Sequence, residues 1–336
     1  LSRTAPPPPP RASAHDVNAA VLSLPCHPCG ATHTRMARNP SDYCGDADSR
    51  QTSVRIAGFI RTCAKDIEFL IFALRSICKF AFPLLSSVTV VFAEHEAEKL
   101  VPLLSGAFPW VIARPVDTEK RIASRFRAQT GKDININAPG KSFLTPGVGY
   151  HAAMIDKLHA DVHVPAGHDF VMFCDSDNLF TRRLRLSDLF SVEGRASLPP
   201  RHDEGRNQAF HKLRVLTDPY QQGTMHESAW RRVTARLLNL SVARTSLTFM
   251  TRVGGLSFPT WIYPPLRAHL YSVLNASLGA EDLYAYAAAL LHPELSPVHG
   301  KQRHFIDFEL MGASMYYLYA HTASRRTRSP RAPHPL

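Results

Sequence analysis

The sequence predicts an α/β fold, a mostly parallel sheet with helices on both faces, and three observations carry that prediction. Strand-like and helix-like segments alternate from residue 54 to 113. A further apolar run, Phe170-Val171-Met172-Phe173-Cys174, ends abruptly in Asp175-Ser176-Asp177, as a strand buried on both faces ends at a ligand crevice. The chain has 336 residues, 45% hydrophobic and 20% charged, which is enough apolar material for one large core without staples.

Residues 1–52 carry the run Pro6 to Pro10 and no apolar period, so they read as a disordered Pro-rich leader or stem. Order is expected from residue 53. Val54 to Ile60 reads as the first strand, and Arg61-Thr62-Cys63-Ala64-Lys65-Asp66 as the turn after it. Ile67 to Phe80 has apolar residues at 67, 70, 71, 74, 77 and 78, the stripe of an amphipathic helix. Val88 to Phe92 is β-branched and strand-like, and Ala93 to Leu104 reads as a helix with Glu94, Glu96 and Glu98 in its first turns, where the dipole favours acids. Trp110 to Ala113 is a short third strand. Residues 114–147 read as loop.

Tyr150 to His163 reads as a helix with His151, Met154, Ile155, Leu158 and Val162 on one face and Lys157 beside that stripe. Pro165 to His168 turns the chain into the strand that bears the acids, so Lys157 is expected near the strand's far end. Beyond it, 184–192 is a connection, 196–198 a candidate strand, and 199–225 a polar candidate lid or acceptor loop. Trp230 to Asn239 reads as helix, Thr248 to Met250 as strand, and Pro264 to Leu278, Leu283 to Leu291 and Leu310 to Tyr319 as helices. Residues 322–336 read as a disordered basic tail, which leaves 53–321 as a single expected domain.

Asp-x-Asp is a weak spelling. Asp46-Ala47-Asp48 has the same one, but no apolar strand feeds it and it reads as solvated loop. The Asp175 pair differs in its context. Buried carboxylates are costly unless paired or metal-bound, and hard oxygen ligands suit Mg²⁺ or Mn²⁺, which in turn hold phosphate. In an extended segment the side chains at 175 and 177 share one side.

The net charge of +11 fits an anionic substrate, although part of it lies in the tail at Arg325, Arg326, Arg328 and Arg331. No nucleic-acid-binding signature is present. No run of 18 uncharged apolar residues marks a transmembrane helix. Two Asn-x-Ser sequons, at Asn239 and Asn275, are compatible with a Golgi or secretory lumen if a signal or anchor precedes Leu1; the cytoplasm is expected otherwise. Cys63, Cys78 and Cys174 read as buried thiols; Cys26-His27-Pro28-Cys29, with Cys44 and His33 nearby, could bind zinc, but the second Cys-x-x-Cys that would make this a strong signal is missing.

Several of these pieces, in this order, resemble the GT-A glycosyltransferases, and within them the DUF6492 branch of nucleotide-diphospho-sugar transferases. Phe59-Ile60-Arg61-Thr62 with Lys65-Asp66 resembles the first-strand nucleotide turn. Gly149-Tyr150, Lys157-Leu158 and Ala160-Asp161 resemble the helix before the metal strand, and Asp169-Phe170 through Asp177 the DxD strand itself. Trp230 to Thr234 with Phe249-Met250 resembles the acceptor-side segment. Phe305-Ile306-Asp307-Phe308-Glu309-Leu310 resembles the late acidic motif. Two positions depart from the pattern: Met154 stands where Gln is expected, and Asp307 where Glu is expected.

The resemblance implies a Rossmann-like three-layer sandwich with a mostly parallel mixed sheet, and metal-dependent sugar transfer from a nucleotide-sugar, UDP- or GDP-linked, to an unknown glycan, protein or lipid acceptor. It implies that Asp177 ligates Mn²⁺ or Mg²⁺, that Asp175 reaches the ribose or the metal, and that His304 is a third ligand. Arg61, Thr62, Asp66 and Lys157 would contact the nucleotide, with Lys157 pairing with phosphate or with an Asp of the pair. Asp307 and Glu309 would activate the acceptor hydroxyl. Two rivals stand beside this reading. A catalytically degenerate GT-A binding protein keeps the fold without turnover. A nucleotidyltransferase would show a Gly-rich phosphate loop, and Arg61-Thr62-Cys63-Ala64 has no glycine.

Overall fold

A computed structural model describes residues 54–82, 84–138, 147–185, 189, 233–240, 256–278, 280–292 and 311. The described residues build one five-stranded sheet of order β3-β2-β1-β4-β5. The strands are β1 (Ile56–Arg61), β2 (Leu85–Ala93), β3 (Val111–Val116), β4 (Phe170–Phe173) and β5 (Leu256–Pro259). The pairings β1–β2, β2–β3 and β1–β4 are parallel, and β5 runs antiparallel to β4. The chain is therefore α/β with a mostly parallel mixed sheet, as the alternation of elements predicts.

Alternate residues of the strands feed two separate cores. Ile56 and Ile60 of β1, Val88, Val90 and Phe92 of β2, and Phe170 and Met172 of β4 pack on α1 (Ile67–Phe80) and α2 (Ala97–Ala107). Ala57 and Phe59, Val171 and Phe173, and Phe258 of β5 pack on the opposite face. The helices there are α3 (Thr118–Thr130), α4 (Val148–Leu158), α6 (Tyr263–Leu278) and α7 (Leu283–Leu291); the single-turn α5 (Ala160–His163) follows α4. The strands are apolar on both sides because both sides are covered. Gly58, at the sheet's centre, admits close packing: a Cβ there would lie 3.1 Å from Leu85 Cδ1 and 3.2 Å from Val88 Cγ2.

β1 is the point where the winding reverses. The chain leaves it through α1 toward β2 and β3 on one side, and returns through α3 and α4, on the other face, to β4 on its other side. The carboxyl ends of β1 and β4 thus flank the crevice where ligands gather in open α/β sheets.

Three expectations are corrected. Residues 114–147 are not all loop: β3 runs on to Val116 and α3 follows at once. Its polar composition hides a two-residue stripe, Ile122 and Phe126, and it ends on Gly131 in the left-handed conformation (φ 69°). The helix expected to reach His163 stops at Leu158, where His159 breaks the α geometry, and resumes as α5. The sheet closes with β5 at Leu256–Pro259, which no sequence signal marked; the strand expected at 248–250 lies outside the described residues, as do 196–198 and 199–225. Residues 233–237 are helical, within the expected helix. No described helix is long and apolar enough to cross a membrane.

Candidate functional site

Backbone pairing carries the chain past both strand ends into the crevice. The Thr62 amide donates to the Val91 carbonyl (3.0 Å), and the Cys174 amide to the Phe59 carbonyl (3.0 Å). Phe59 lies beside Phe173 in register, so two more residues bring Arg61 and Asp175 to the same level, both on the α4 side of the sheet. Between them stands the last turn of α4, with Asp156 and Lys157 in sequence. Asp156 binds Arg61 and Thr118, and Lys157 binds Asp175.

The first half is a buried ionic cluster. Arg61 Nε lies 2.6 Å from Asp156 Oδ2, and its Nη2 donates to Glu119 Oε1. Its Nη1 donates to the Thr62 carbonyl, and the Thr118 hydroxyl donates to the other oxygen of Asp156. The side chains of Arg61, Asp156 and Glu119 are only 5%, 1% and 6% exposed, so the three are desolvated together. Asp156 sits in the last turn of α4, where a helix dipole opposes a carboxylate, and Arg61 offsets that cost. Glu119 Oε2 is buried and has no hydrogen-bond partner among the described residues. Burial pushes the Glu119 carboxyl above its ordinary range, and Arg61 opposes the shift. The cluster ties the start of α3 and the end of α4 to the tip of β1. Behind it, His163 lies 4.0 Å from Asp156 and 6.2 Å from the Phe59 ring, and burial pulls its imidazole down to about 4 despite the nearby Asp156.

The second half is open. Lys157 Nζ is 3.1 Å from Asp175 Oδ1, with the lysine side chain 9% exposed and the aspartate 30%. Asp177 is exposed. The Asn178 amide donates to the Asp175 carbonyl (3.0 Å), closing a turn over 175–178. The acids therefore do not lie on an extended segment, and the expectation that i and i+2 share a side gives way to a turn whose backbone folds at Ser176 and Asp177. Asp177 heads outward from that turn, while Asp175 is held inward by Lys157. Arg182 and Arg183 follow on an exposed stretch.

The remaining expected nucleotide contacts serve the turn after β1. Thr62 is 4% exposed, and its hydroxyl donates to the Cys63 carbonyl at 3.5 Å. Asp66 accepts the Cys63 thiol (3.1 Å), and burial together with that bond pushes the thiol up to about 11. Glu96, just past β2, accepts the Ala64 amide (2.8 Å). Arg61, expected at the nucleotide, has its guanidinium committed to two acids and a carbonyl, because burial leaves it no room to stay unpaired. Lys157 takes one of its two expected partners, an Asp of the pair. Asp307, Glu309 and His304 lie outside the described residues. Asp156 and Glu119 were not singled out in the sequence; the adjacent couplet Asp156-Lys157 at the end of an apolar-striped helix is the signal that marks the first.

Chemically, the crevice offers two carboxylates of different character and one ammonium. Among the described residues no group of three or more His, Cys, Asp or Glu could hold a metal ion. No protein-family model matches the chain, and no curated protein matches it.

Proposed function

We propose that the chain is a GT-A-type glycosyltransferase that moves a sugar from a nucleotide-diphosphate sugar to an acceptor with the help of Mg²⁺ or Mn²⁺. The observation that carries this reading is the place of Asp175 and Asp177: at the carboxyl end of β4, in the crevice beside β1 where the winding reverses, with Lys157 on one acid and the other exposed. The donor set fits the ion. A small hard cation is commonly held through one or two carboxylates plus substrate phosphates, with waters completing the shell, so the carboxylates of Asp175 and Asp177 fit nucleotide-borne Mg²⁺ or Mn²⁺.

In this reading Asp177, exposed on the turn, is the principal ligand, and Asp175 supports it from below. Lys157 adds a positive charge beside the diphosphate. When bound, the ion neutralises charge that builds on the leaving nucleotide diphosphate. The Arg61 cluster touches no substrate; it fixes the end of α4, and so the height of Lys157, against β1. The acceptor base is sought among Asp307 and Glu309, as the resemblance implies.

The test is a panel of UDP- and GDP-sugars incubated with the protein and Mn²⁺, with donor hydrolysis followed by nucleotide release. Slow release from one donor, abolished by EDTA, is the expected result. Binding of a nucleotide-sugar without any turnover would instead point to the degenerate binding protein. No binding and no release across the panel would sink both.

A further inference from the structure

Lys157 presents an ammonium to the carboxylate that the proposed function also offers to a cation. Its side chain is 9% exposed and lies 3.1 Å from Asp175 Oδ1. An ion pair so placed does two things. It keeps a half-buried carboxylate neutralised, and it opposes any second cation at the same oxygens, because like charges a few ångströms apart repel strongly away from bulk water. The backbone at 157 is pinned: Asp156, the preceding residue, is held by Arg61 and Thr118, and the carbonyl of the following residue, Leu158, accepts Arg267 Nη1 (2.9 Å). The side chain at this position is a flexible four-carbon stem with a compact charge at its end.

Resting on the glycosyltransferase reading, we infer that Lys157 is an exchangeable counter-cation. Paired with Asp175, it disfavours the divalent ion alone. Asp175 and Asp177 would hold a nucleotide-borne ion, and Lys157 would then turn from the carboxylate to the diphosphate oxygens. The move from carboxylate to diphosphate keeps the ammonium against an anion throughout, which links the two halves of the exchange. The site then discriminates against free metal and favours the metal–nucleotide complex. One residue has effects of opposite sign on the two ligands.

The experiment measures Mn²⁺ binding by the loss of the free-ion paramagnetic resonance signal, with Mn²⁺ alone and with Mn²⁺ plus UDP, on the full chain and on Lys157→Met. Relative to the unmodified protein, Lys157→Met is expected to bind Mn²⁺ alone about tenfold tighter, the factor that ~1.4 kcal/mol of relieved repulsion gives, and to bind UDP in Mn²⁺ about tenfold more weakly. Lys157→Arg keeps the charge and is expected to leave binding of Mn²⁺ alone weak. Lys157→Gln, neutral and polar, repeats the first test should methionine disturb folding. If the unmodified protein binds Mn²⁺ with UDP but neither neutral variant tightens Mn²⁺ alone, the exchange is wrong and the metal–nucleotide reading stands. If the unmodified protein binds neither Mn²⁺ nor UDP, that reading falls and the exchange with it.

Discussion

Arg61→Met removes the cation that pairs with two buried carboxylates while keeping most of the side-chain volume. In the folded protein Asp156 is 1% exposed and Glu119 6%, so neither is rescued by water. Losing one partner of a buried ion pair costs about 3–5 kcal/mol, chiefly because the other charge stays buried and unpaired. Glu119 moderates the loss, since burial already shifts it toward the protonated form. Asp156 keeps the Thr118 hydroxyl. The expected loss is about 3–4 kcal/mol, toward the lower part of the range for a broken buried pair. Glu119→Gln is the contrast. A neutral amide oxygen still accepts the Arg61 bond, so its cost at pH 7 is expected below about 1 kcal/mol. The sign of the pH effect follows from the raised pKa. The folded state holds the Glu119 proton more tightly than the unfolded chain, so stability falls as pH rises from about 4.5 through the folded pKa. Glu119→Gln abolishes that decline and gains on the unmodified protein as pH rises above about 4.5. Urea unfolding followed by circular dichroism measures all of these differences, with the m-value checked for constancy. A loss below about 1 kcal/mol for Arg61→Met, or an equal loss for Glu119→Gln, would refute the view that Arg61 is a desolvated strut.

Two further outcomes follow from the same core. His163 has its folded pKa pulled from 6.5 to about 4, so its contribution to stability is complete above 6.5 and is lost as pH falls toward 4. Over that window the unmodified protein should lose about 3 kcal/mol more than His163→Gln, and parallel curves would contradict the assignment. Gly58→Ala places a methyl 3.1 Å from Leu85 Cδ1 and 3.2 Å from Val88 Cγ2 in the middle of the sheet. It should cost about 1–3 kcal/mol by urea unfolding, and a neutral or stabilising effect would show that those side chains give way freely.

The sheet was legible where local pattern and tertiary role agree. Ile67 to Phe80 keeps its stripe at 67, 70, 71, 74, 77 and 78, and the helix has those bounds. Phe170 to Phe173 is apolar throughout and is buried on both faces. α3 was missed because Lys120, Arg121, Arg125 and Arg127 dominate it and its buried set includes Thr118 and Glu119, polar residues that no apolar period counts. The Asp175 pair was found by context, yet its conformation was not: spacing alone does not distinguish an extended strand end from the turn that Asn178 closes. The Arg61 cluster was beyond local reading altogether. Arg61 meets Asp156 across 95 positions and Glu119 across 58, and only the winding of the sheet brings them together.

The central claim is that the acids at the end of β4 hold a nucleotide through a divalent ion. Calorimetric titration of UDP into the full chain in Mn²⁺, repeated after EDTA and with Asp177→Ala, tests it most directly. The account predicts binding that EDTA abolishes and that Asp177→Ala weakens at least about tenfold, ~1.4 kcal/mol, for loss of a principal ligand. UDP affinity unchanged by either treatment would contradict it.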